Sequence, residues 1–200
     1  MTNELTELLD GAAHRAHPVV RGVEDSDLGA PTPCDEYDVR GLLNHLFHVV
    51  VGFQALAAKG TADFSATPDY VGDGDWRARF ADETARLVQA WSAPEALEGT
   101  SQGMGLPQRT VGEMVLGDLT VHAWDLARAT GQDFVPYEPS LPVLNEGLGA
   151  LAPTGRKMNV FGEPFPVADD APDFDKLLAL TGRDPGWRAP AVRGGVDTAL

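Results

Sequence analysis

The chain has 200 residues and a formal charge of −15, from 30 acidic against 15 basic side chains. That length suits one domain with a proper core, while a field of that sign repels phosphate backbones and no Lys/Arg cluster reverses it locally, so no nucleic-acid partner is expected. A single cysteine, Cys34, excludes an internal disulfide. The amino terminus MTNELTELLDG lacks the basic start and apolar centre of a secretory signal, and runs such as LFHVVVGF fall far short of the ~20 residues that span a bilayer. A cytoplasmic protein with no membrane segment is expected.

The first helix should begin after Thr2, with Glu4 and Glu7 early and Leu5, Leu8, Leu9, Ala12 and Ala16 at helical spacing; Pro18 should kink or end it. Gly29 to Tyr37 (GAPTPCDEY) is too rich in proline and small polar residues for regular structure. Asp38 reads as the N-cap of a second helix from Val39 to about Lys59, closed by Gly60, with a stripe of Leu42, His45, Leu46, Val49 and Phe53. A loop over 61–74 carries Phe64 and Tyr70 as anchors, and Trp76, Phe80, Thr84, Leu87 and Trp91 then mark a third helix. TVGE at Thr110 to Glu113 fits a capping box, ahead of a fourth helix that runs to about Thr130 with Gly131 after it. Four such stripes are buried most naturally in a four-helix bundle.

Beyond Gly131 the sequence predicts a short helix from Leu141 to Leu151, an extended FGEPFPVADDAPDFD segment, and a last short helix over Asp173 to Thr181 closed by Gly182. The remainder reads as a tail, ordered only if Trp187 finds a pocket. At about 70 residues without a long helix, this part is expected to cover the bundle rather than stand alone. The expected organisation is one domain over 1–200: a bundle over about 2–131, an irregular cover over about 132–188 and a tail over 189–200.

Asp118 and His122 stand four residues apart on the fourth helix, so their side chains are about 40° apart around the axis and one turn apart along it. His45 offers a second imidazole from the second helix. Together they form a candidate His/Asp/His metal site between packed helices, with a coordination position left open. Zinc is the default ion, and nickel, iron and manganese suit the same N/O donors. Structural roles compete at each position. A lone buried histidine is more often a hydrogen-bonded core residue, and Asp118 could simply answer the helix macrodipole. His48 and Asp125 are alternate ligands or partners that hold an imidazole tautomer, although Asp125 pairs more readily with Arg128. Cys34 reads as buried, Trp124 as core or pocket wall, and His14 and His17 have no partner that the sequence names.

TPCDEYDVRGLLNHL, HAWDLARATG and FGEPFPVADDAPDFDKLLALTGRDPGW, in that order, resemble the metal-binding proteins related to mycothiol-dependent maleylpyruvate isomerase, within the DinB-like superfamily. The resemblance covers nearly the whole chain. It implies an up-down-down-up four-helix bundle and one divalent metal ion, commonly zinc or nickel, held by three protein ligands with positions left for water or a thiol. His45, Asp118 and His122 match the family's ligand positions. Two departures stand out. The isomerase has a glutamate where Asp118 is shorter by a methylene, which leaves direct and water-mediated ligation both open, and no counterpart of its sterol-carrier-like C-terminal domain is expected in these 200 residues. The implied function is a metal-dependent transferase or isomerase that uses a small-molecule thiol such as mycothiol and acts on a small electrophile. Arg40, Arg109 and Arg128 are candidates for recognising an anionic group. The alternatives are a non-catalytic metal-binding or sensing bundle, or an interaction bundle without metal; a homodimer is compatible with each.

Overall fold

The computed structural model describes residues 3–190 apart from Asp73 and Asn159, so the end of the expected tail lies outside the described residues. Among the described residues there are six α-helices and no strand: α1 (Glu4–Gly22), α2 (Val39–Ala57), α3 (Trp76–Trp91), α4 (Gln108–Ala129), α5 (Leu141–Lys157) and α6 (Asp173–Leu180). None is long and apolar enough to cross a membrane.

The helix starts follow from local chemistry. Asn3 caps α1 by accepting from the Thr6 amide, and Asp38 caps α2 by accepting from the Gly41 amide at 2.7 Å. Pro18 does not end α1. It falls in the closing turns, where few ladder bonds remain to be lost, and burial of Val19 and Val20 beyond it carries the helix on to Gly22. The end of α2 also departs from expectation: the left-handed residue is Lys59, with φ 63°, rather than Gly60. Its ammonium group donates to the carbonyls of Ala96 and Glu98, which offsets a backbone conformation that ordinarily favours glycine.

The capping-box reading of Thr110 to Glu113 is overturned. Helix α4 begins at Gln108 after Pro107, with no side-chain cap, because a tight turn has already set the chain's direction: Ser101 N–H donates to Leu106 O at 2.9 Å and Gln108 N–H to Gly99 O at 3.0 Å. Glu113 instead accepts from Arg109 at 3.1 Å, and Arg109 also reaches Glu4.

Helices α1 and α2 each pack on both α3 and α4, so they occupy opposite corners of the bundle. Asn3 donates to the carbonyl of Trp91, Arg109 pairs with Glu4, and the Gln108 amide donates to Leu56 O. These contacts set the starts of α1 and α4 beside the finishes of α3 and α2. The stripe expected for α3 is buried throughout, from Trp76 to Trp91.

Helix α5 packs on the outside of α4, and α6 packs on α5. Gly117 permits the first approach, since a Cβ there would meet Leu148 Cδ1 at 2.9 Å. Helix α5 extends a turn and a half past the expected Leu151, because Ala152 remains buried and Arg156 is tied to the carbonyls of Gly162 and Leu180. Residues 162–168 run without regular structure, as the recurring prolines suggest. Gly182, at φ 86°, closes α6 where a Cβ would collide with the Gly162 backbone. Trp187 does pack against the core, and its carbonyl accepts from Arg128 at 3.0 Å.

Candidate metal centre

The cap at Asp38 fixes the register of α2, and two turns later His45 faces α4. There the structure brings His45, Asp118 and His122 together, with one potential ligand atom from each lying within 4.8 Å of the others. His122 Nε2 is 3.6 Å from Asp118 Oδ1, and the two imidazoles meet edge to face at 5.0 Å between centroids. The other nitrogen of His122, Nδ1, is 3.0 Å from Asp125 Oδ2. A carboxylate accepts, so the contact with Asp125 places a proton on Nδ1 and leaves Nε2 on the side of Asp118. His122 Nε2 and Asp118 Oδ1, both potential metal donors, thus lie side by side with His45 next to them.

The electrostatics of the group follow from its burial. Desolvation, helped by the neighbouring His122, His48 and Arg183, lowers the pKa of His45 to about 3, so this imidazole is neutral near pH 7, the form that ligates a metal. Desolvation likewise raises the Asp118 carboxyl above the usual carboxylate range, against the opposing pull of His122 and Arg183. Asp118 nonetheless keeps 29% of its side-chain surface accessible, so the group is not sealed from solvent.

Sequence reasoning missed two neighbours of this group. The ring of Tyr37 stacks on His45 with centroids 5.1 Å apart, and its hydroxyl lies 3.5 Å from His45 Nδ1. Gly41 makes that possible, because a Cβ there would press on the Tyr37 ring at 3.2 Å. The adjacent N-cap was the only local signal for a residue otherwise assigned to an irregular connection. Arg183, in the irregular stretch just past Gly182, is buried and donates to Asp125 Oδ2 at 3.1 Å. The expected Asp125–Arg128 pair does not form; Asp125 holds His122 and Arg183, while Arg128 lies over the Trp124 ring and bonds Trp187 O.

The remaining candidates are engaged elsewhere. His48 bonds the Tyr70 hydroxyl and the Asp63 carbonyl, His17 bonds Thr84, and His14 lies against Asp10. Arg40 pairs with Asp69 and Arg109 with Glu4 and Glu113, so neither is free to recognise an anion at this site. Cys34 is not among the converging donors, and burial pushes its thiol up to about 11.

The depressed His45 pKa has a measurable consequence for the metal-free protein. Unfolded, His45 takes up a proton near its ordinary 6.5; folded, it does so only near 3. Between those values the unfolded state binds more protons, so this residue's contribution is full above 6.5 and is lost as the pH falls toward 3. Urea unfolding of the metal-free protein at a series of pH values should show stability declining below pH 6.5, with a shallower decline in His45→Gln. Parallel pH profiles for the two proteins would show that the imidazole is not desolvated.

No solved structure matches the chain. Two uncharacterized proteins of Mycobacterium tuberculosis, one from each of two strains, are each 33% identical to it over 175 residues, covering 82% of this chain and 90% of theirs. The family model for the mycothiol maleylpyruvate isomerase N-terminal domain matches residues 9–127, a stretch that contains α2, α3, most of α1 and α4, and all three converging side chains. By that match over more than half its length, the chain belongs to the mycothiol maleylpyruvate isomerase N-terminal domain family.

Proposed function

We propose that this chain binds one divalent metal ion through His45, Asp118 and His122 and works as a thiol-dependent transferase or isomerase on a small electrophile. The observation that carries the reading is the convergence of three potential N/O donors from two helices, within 4.8 Å of one another. Three protein donors with one side open is the donor count of a catalytic rather than a structural site, and zinc is the default ion for this set. A bound cation there supplies a Lewis acid that favours a thiolate over a thiol at neutral pH. The thiol itself, of the mycothiol type, rests on the family to which the chain belongs.

The chain's own residues divide the remaining work. His45 stays neutral through burial, so a cation there has no imidazolium proton to displace. Asp125 fixes the ring of His122 and its tautomer. Burial also raises the Tyr37 phenol, so its hydroxyl remains a neutral donor beside the donor set, placed to hydrogen-bond an anion bound there. The partial exposure of Asp118 is the side from which a ligand in solution would reach the group. A closed, non-catalytic site needs a fourth protein donor, and both candidates for that role, His48 and Asp125, are held by other partners.

Elemental analysis of untagged protein, purified without added metal or chelator, tests the reading beside a His45→Gln/His122→Gln double variant. The expected result is about one zinc or nickel per chain, lost in the variant with helix content intact. Unmodified protein that stays empty after exposure to zinc and nickel would overturn it.

A further inference from the structure

The turn after α6 reaches back to the donor set through a buried line of side chains. Arg183 is only 7% exposed, and its guanidinium donates to Thr181 O at 2.8 Å and to Asp125 Oδ2 at 3.1 Å. Asp125 is fully buried and accepts from His122 Nδ1 at 3.0 Å through that same oxygen, while its Oδ1 has no hydrogen-bond partner. One carboxylate oxygen therefore carries both contacts, and nothing on the other oxygen holds the group in place when either contact is lost. The family match ends at residue 127, so Arg183 lies outside the matched domain.

We propose that Arg183 is a positioning residue for the metal centre, so that docking of the segment after α6 and metal binding at His45, Asp118 and His122 reinforce each other. The inference rests on the metal reading above. Arg183 is buried and donates to protein acceptors, which makes it a support for Asp125 and not a site for a ligand's anion. Without it, Asp125 loses one of its two donors, the guanidinium, and is free to swing, taking with it the acceptor that fixes the His122 ring. Partners that orient a ligating histidine are worth roughly 10–100-fold in metal affinity. Linkage makes the effect reciprocal: a cation that fixes His122 fixes Asp125, and so favours the docked position of Arg183 by the same factor.

Zinc affinity, measured by competition with a chromophoric chelator, should fall roughly 10–100-fold in Arg183→Met, with a smaller loss in Arg183→Lys, while the far-UV helix signal is kept. A merely structural role would lower the unfolding midpoint and leave the zinc affinity of the folded protein unchanged. Hydrogen exchange supplies the reciprocal readout. In the unmodified chain, zinc should slow exchange over 177–187, including the Arg183 amide that donates to Leu178 O, and this slowing should vanish in Arg183→Met. Equal zinc affinities, or exchange over 177–187 that ignores zinc in the unmodified chain, would overturn the coupling while leaving the metal site standing. An unmodified chain that takes up no zinc would instead overturn the metal reading, and the coupling with it. The exchange measurement on the unmodified chain decides the matter alone where Arg183→Met fails to fold.

Discussion

Asp125→Leu should lower the unfolding free energy by about 3–5 kcal/mol, far more than a polar substitution on a helix surface. Asp125 has no exposed surface and accepts from both His122 and Arg183. Replacing it leaves a guanidinium buried with only the Thr181 carbonyl as an acceptor, and such an uncompensated charge is what makes breaking a buried pair expensive. The pair's net worth is much smaller than the cost of breaking it. An Asp125→Leu/Arg183→Met double variant, which removes both charges, should therefore recover most of the loss, and the cycle gives a large coupling between the positions. Urea unfolding with an unchanged slope provides the measurement. A single variant that loses less than about 0.5 kcal/mol, the range of ordinary surface changes, would mean that Asp125 and Arg183 are solvated or apart.

The part of the candidate site carried by local spacing was legible in the sequence, and the part carried by distant pairing was not. Asp118 and His122 share a helix face because they are four residues apart, and His45 could be placed on the facing side of α2 because Leu42, Leu46, Val49 and Phe53 define the inward stripe. Arg183 meets Asp125 across 58 positions, and no pattern near either residue announces the other. Asp125 could be recognised as a possible support for an imidazole, yet the nearby Arg128 was the more obvious partner; only the fold turns Arg128 toward Trp124 and Trp187. The helix ends show the same division. Asp38 could be read as a cap since its side chain satisfies an amide three residues on, whereas the left-handed turn at Lys59 depends on carbonyls of residues 96 and 98. TVGE met every local requirement for a capping box, but the turn over 99–108 had already started the helix at Gln108. Local rules located the donors and distant contacts determined what holds them.

Metal removal and return should have the other large effect. His45 belongs to α2 and the other two candidate donors to α4, so the unfolded chain does not hold the three together and a cation bound by them would favour the folded state. Zinc returned to metal-stripped protein at a free concentration of a hundred times its Kd should add about 2.7 kcal/mol of stability. For a chain of this length each kcal/mol moves Tm by roughly 2–4 °C, which gives a rise of roughly 5–11 °C. His122→Gln should show none of it, since one of the three donors is gone, and excess chelator should return the unmodified protein to its metal-free midpoint. Thermal unfolding followed by circular dichroism checks all three states. The comparison also separates a specific site from adventitious binding to an acidic surface, because the net charge of −15 is the same in the unmodified chain and in His122→Gln. An equal rise in both proteins would place the zinc on surface carboxylates, whereas a rise confined to the unmodified chain ties the stabilisation to the α2–α4 donors.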